Sequence, residues 1–103
     1  MIISNYNFEG PYSLSELEVI QNVSGVYVII CDNILTKTPM DVGESGELRE
    51  RLKNHERLKC WRDHCKGGSV QVFVHYTKGM REDERKKIEQ RIRSSYKLPC
   101  GER

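Results

Sequence analysis

A chain of 103 residues, 37% apolar and 31% charged, fits one small globular domain spanning 1–103 and leaves no length for a second core. No apolar run approaches the roughly 20 residues that cross a bilayer, and the opening MIISNYNFEG lacks a signal-peptide pattern, so a cytoplasmic protein without a membrane partner is expected. The net charge of +2 conceals a division, because residues 1–43 hold one basic residue against five acidic ones while residues 44–103 hold sixteen against ten. A polyanion would meet the later part of the chain.

Residues 1–12 read as an extended lead-in, with Gly10-Pro11 marking a turn. Ser13 followed by Glu16 makes a capping box ahead of Leu14, Leu17 and Ile20, which predicts a short helix over about 14–21. Gly25 to Cys31 is rich in β-branched residues and reads as a buried strand, with Val26, Val28 and Ile30 on one face and Tyr27, Ile29 and Cys31 on the other. Asp32-Asn33 signals a turn, and Thr38 to Val42 returns as the partner strand, at a sheet edge or strand start because of Pro39.

After Gly43 the period becomes helical, with Leu48 and Leu52 inward, from about Glu47 to Leu58. Arg51 and His55, four apart, share one face of that helix. Cys60 to Lys66 continues as a second helical piece carrying Trp61, and Gly67-Gly68 stops it. Ser69 to Thr77 alternates as a strand. A last helix starts near Gly79, with Glu82, Asp83 and Glu84 at the positive end of its dipole and Ile88, Ile92 and Tyr96 as its apolar stripe. Glu89 stands at the border of that stripe, a half-buried carboxylate aimed back over the sheet, and Pro99 ends the helix before a tail, Cys100 to Arg103. The expected fold is α/β (α+β), a small, partly antiparallel sheet with helices packed on it.

Four cysteines, at 31, 60, 65 and 100, are expected to be reduced thiols in a cytosolic chain. The cluster His55, Cys60, His64 and Cys65 invites a zinc reading, with Cys60, His64 and Cys65 as its ligands, but the spacing is not the paired type of a structural site and zinc ranks below packing.

Cleaving a phosphodiester needs an activated water, a cation for the developing charge and a means of holding a metal. Tyr27 or Asp41 can orient or deprotonate the water. The planar guanidinium of Arg51 matches a phosphate, and His55 is either a second phosphate donor or a helix residue stacking on the core edge. Glu89 can hold Mg2+ (or Mn2+), which keeps most of its waters and needs few carboxylates. Arg57 and Arg62 flank Trp61, whose indole, if exposed, can stack on a base.

The order of these pieces resembles the GIY-YIG nuclease family. Gly25-Val26-Tyr27 resembles the first motif and Asp41-Val42-Gly43 stands where the second belongs. LRERL at 48–52 resembles the following helix, whose phosphate-binding arginine falls on Arg51. Glu89 in ERKKIEQRI resembles the metal-holding glutamate, and YKLPCG the closing segment, so the likeness covers about residues 24–101. It implies a compact domain with a three-stranded sheet and metal-dependent hydrolysis of DNA, as in the nuclease part of bacterial nucleotide-excision repair enzymes. Two positions depart: Asp41 replaces the second motif's tyrosine, and Gly101 the asparagine near the end. A catalytically silent domain of the same fold that binds nucleic acid or a protein is the alternative, and a small zinc module a third reading.

Overall fold

The structure, a computed structural model, describes residues 1–101, so Glu102 and Arg103 of the expected tail lie outside it. It is an α+β fold built on antiparallel sheets. Strands β1 (Ile2–Ile3) and β2 (Tyr6–Asn7) form a small hairpin. The main sheet has the order β3-β6-β4-β5, with β3 at Glu9–Ser13, β4 at Gly25–Asp32, β5 at Lys37–Ser45 and β6 at Ser69–Tyr76. It has four strands rather than the three that the resemblance implies, because the lead-in pairs with β6 through Glu9, Tyr12 and Ser13. The expected short helix is a 3-10 helix over Leu14–Val19, entered where the Ser13 amide donates to Glu16 Oε1 at 2.8 Å.

Both faces of β4 are buried, as its apolar run requires. Tyr27, Ile29 and Cys31 pack with Leu48, Leu52, Trp61 and Cys65 on one face, whereas Val26, Val28 and Ile30 pack with Phe8, Phe73, Ile88 and Ile92 on the other. The predicted single helix over 47–58 is two pieces, α1 (Leu48–Lys53) and α2 (Leu58–Asp63), separated by four non-helical residues. The last helix, α3 (Glu82–Ser95), buries Ile88, Glu89 and Ile92. Tyr96 leaves its apolar stripe because the backbone turns extended there, and the side chain is exposed.

Strand β5 is an edge, which accommodates Pro39. Its pairing with β4 slips between Ile29↔Asp41 and Ile30↔Pro39, leaving Met40 as the extra residue of a bulge. Cross-strand partners share a face, so Asp41 and Gly43 lie beside Ile29 and Tyr27, toward α1 and α2.

The cysteines depart most from expectation. They are two disulfides, Cys31–Cys65 and Cys60–Cys100, and none of the four is free. Cys31 at the end of β4 and Cys65 after α2 share one core cluster, while the Cys100 amide donates to Met40 O on β5 at 2.9 Å. Cα separations of 5.5 and 5.8 Å suit disulfide bonding. The set Cys60, His64 and Cys65 is therefore not one ligand cluster, since Cys65 is bonded to Cys31.

Candidate active site

Three layers of the fold meet at the β5 edge. A cleft of about 560 Å³ opens there, lined by Tyr27 of β4, Gly43 and Glu44 of β5, Arg51 of α1, Arg57 before α2, and Lys86, Glu89, Gln90 and Arg93 of α3. Four basic side chains face two acidic ones, so the cleft favours an anion.

Tyr27 reaches the cleft because its cross-strand partner is Gly43. A Cβ at residue 43 would stand 2.2 Å from the Tyr27 hydroxyl and 2.4 Å from Cζ, so only glycine lets the ring lie across the strand. The hydroxyl meets His55 Nε2 at 2.5 Å. His55 is buried, packed against Trp61 in a tilted ring contact with centroids 4.5 Å apart, and its Nδ1 accepts the Arg57 amide at 3.1 Å. An Nδ1 that accepts leaves the proton of a neutral imidazole on Nε2. His55 therefore donates to the Tyr27 oxygen, and the Tyr27 O–H is directed elsewhere.

Burial, then the charges of Arg51 and Arg57, push His55 down to about 4, so it is neutral at pH 7. Burial and the Asp41 charge push the Tyr27 phenol up to about 12, against the opposing pull of Arg51 and Arg57. Tyr27 is thus a protonated hydroxyl at neutral pH, suited to orienting a water by hydrogen bonding.

His55 shares this spot with Arg51 for a reason the helical spacing did not contain. Helix α1 stops at Lys53, and the break before α2 turns the imidazole inward while Arg51 stays on the helix. Arg51 clasps Glu56 with both terminal nitrogens, at 2.5 and 2.9 Å, holding Glu56 down to about 2. The same break carries Arg57 into the cleft.

Asp41 is not in the cleft. It is fully buried behind it, where Oδ2 accepts from Trp61 Nε1 at 2.8 Å and from Arg57 Nε at 2.7 Å. Desolvation raises its pKa, opposed by those same two partners. Its visible task is to aim Arg57. Trp61 is a wholly buried anchor rather than an exposed stacking platform, and Arg62 lies away from the cleft in a groove with Leu14 and Leu58.

Glu89 is buried, with Oε2 bonded to Arg93 at 2.7 Å, and Arg93 also donates to Val42 O at 3.0 Å. Glu44, the other carboxylate of the cleft, is paired with Arg85 at 2.9 Å. Glu44 and Glu89 are the carboxylates of the cleft that could hold a hard cation, and each is paired with an arginine. Near the chain end, a Cβ on Gly101 would lie 3.0 Å from Arg93 Nη1 and 3.2 Å from Asp41 Oδ1, two buried atoms with no hydrogen-bond partner among the described residues. The same Cβ would stand 2.9 Å from Leu98 Cβ, so the backbone here fits glycine and not the asparagine implied by the resemblance.

Sequence reading missed Arg93, Lys86 and Glu44. For Lys86 and Arg93 the signal was present in the helical period, since they stand three residues before and four after Glu89 on α3.

The chain matches no family model, no curated protein and no solved structure.

Proposed function

We propose that the chain is a GIY-YIG-like, metal-dependent endonuclease domain that hydrolyses DNA phosphodiesters in a cytoplasmic setting. The observation that carries this reading is the convergence of Tyr27, Arg51 and Glu89, from three elements distant in sequence, on one cationic cleft. Arg51 and Arg57 grip non-bridging phosphate oxygens and stabilise the charge that develops on them. The Tyr27 hydroxyl, fixed by His55, orients the attacking water. Glu89, steadied by Arg93, would hold Mg2+ or Mn2+, which supplies Lewis-acid activation of the phosphate and of the water. Cleavage of plain, nicked and branched DNA by purified protein, with and without Mg2+, tests this reading.

One observation favours a second reading, a silent domain that binds nucleic acid without cleaving it. Asp41, in place of the expected tyrosine, is withdrawn from the cleft and committed to Arg57 and Trp61. The cleft then offers one tyrosine hydroxyl rather than two. Salt-sensitive DNA binding without cleavage of any of the three substrates, with either metal, would decide for it.

A further inference from the structure

On the far side of α2 from the 3-10 helix groove, three further ligand atoms come together. Cys60 and His64 lie one helical turn apart, and the closing segment brings Cys100 against them. His64 Nδ1 stands 3.5 Å from Cys60 Sγ and 3.7 Å from Cys100 Sγ, and all three ligand atoms lie within 4.8 Å of one another. Tetrahedral zinc, with Zn–S of about 2.3 Å and Zn–N of about 2.0–2.1 Å, sets N···S at about 3.5–3.6 Å and S···S at about 3.8 Å. Both nitrogen–sulfur distances already fit an ion between them, and only the sulfurs, bonded to each other, are too close.

We propose that Cys60, His64 and Cys100 form a redox-gated zinc site, closed by the Cys60–Cys100 disulfide and opened by its reduction. The reductant is a dithiol: its two thiols are oxidised to a disulfide as the Cys60–Cys100 bond takes up two electrons and two protons. Zn2+ then binds the two sulfurs as thiolates, releasing both protons to solvent. His64 Nδ1 now donates to the Cys60 carbonyl 3.0 Å away, and in the zinc form its proton moves to Nε2. Two thiolates neutralise the ion, and this soft donor set selects zinc over the hard Mg2+ suited to the cleft. The fourth position is open to water, because His64 is exposed and Cys60 half-buried. Exposure also admits the reductant, whereas Cys31 and Cys65, both buried, make a separate bridge. Either state ties the closing segment to α2, so the gate changes metal binding and not the fold. This assignment does not depend on the nuclease reading.

Cobalt titration of the full chain tests it. After reduction under anaerobic conditions with a non-thiol phosphine, which stands in for the dithiol without competing for metal, Co2+ should raise a thiolate-to-cobalt charge-transfer band. The band should saturate at one ion per chain and be bleached by Zn2+, and the oxidised chain should show none. Cys100→Ser and His64→Ala should lose the band or weaken zinc by at least the roughly tenfold that losing a supporting group costs, while Cys65→Ser keeps it. His64 is exposed, so its variant folds and reports even if Cys100→Ser does not. No band in the reduced chain, an equal band in the oxidised chain, wild-type binding by His64→Ala, or loss in Cys65→Ser would each overturn the assignment.

Discussion

The phenol of Tyr27 lies across Gly43, its partner on the neighbouring strand, so closely that a single methyl group would stand 2.2 Å from the hydroxyl. This pairing gives Gly43 a concrete purpose. Gly43→Ala must push the Tyr27 ring off its hydrogen bond to His55. It should lower stability by about 1–3 kcal/mol, as overpacking of a tight site does, and reduce cleavage more than DNA binding. Chemical denaturation and a binding isotherm on the same preparation check it. Unchanged stability would mean that the ring has another place to go.

Asp41→Asn separates positioning from catalysis. Asparagine can keep the bond from Trp61 but loses the charge that holds Arg57. The expected cost is about 1.5–3 kcal/mol, the value of a hydrogen bond to a charged group, together with weaker DNA binding. Were Asp41 instead the water-activating base, the variant would lose its rate while binding held or strengthened. Denaturant unfolding with DNA titration tells the two apart.

The strand with Tyr27 was legible because an apolar run bounded by glycine and Asp32-Asn33 admits one reading, and its alternation placed Tyr27 and Ile29 on a common face correctly. Glu89 at the margin of the α3 stripe was legible from period alone. The break between α1 and α2 was not, since Asn54 to Arg57 carries neither glycine nor proline and His55 turns inward only because Trp61 and Tyr27 are there to receive it. The disulfides were hidden for a topological reason: Cys31 meets Cys65, and Cys60 meets Cys100, only after the sheet has formed. Likewise Asp41 reads as a cleft residue from its motif, but the bulge at Met40 and the partner Trp61 set it behind the cleft.

His55 predicts a pH dependence. Its folded pKa, about 4, lies below the usual 6.5, so the unfolded chain binds the proton more readily. The stability tied to neutral His55 is complete above about 6.5 and is lost as pH falls toward 4, by up to roughly 3 kcal/mol. Thermal unfolding of wild type and His55→Asn across that window should show a steeper decline in the wild type. Parallel curves would mean that the imidazole titrates normally.

Arg51→Ala should leave the fold intact. Its ion pair with Glu56 is partly exposed on one side and open on the other, so removing it should change stability by less than about 1 kcal/mol. DNA affinity should fall for every sequence alike, and the slope of log affinity against log salt should become shallower by about one. An unaltered slope would place the phosphate elsewhere than beside Arg51.

Glu89→Gln distinguishes a nuclease from a binding domain most directly. Glutamine keeps the length of the side chain, and its carbonyl oxygen can still accept from Arg93, which remains anchored on Val42 O. What disappears is one negative charge in a cleft that holds four cations. If the carboxylate holds Mg2+ or Mn2+ for hydrolysis, cleavage should fall by at least about a hundredfold, since a neutral amide is a poor ligand for a hard cation. DNA binding without metal should hold or tighten, because the lost charge repelled phosphate. Cleavage at the wild-type rate would remove Glu89 from the chemistry, and tighter binding by a protein that never cleaves would identify the cleft as a nucleic-acid clamp.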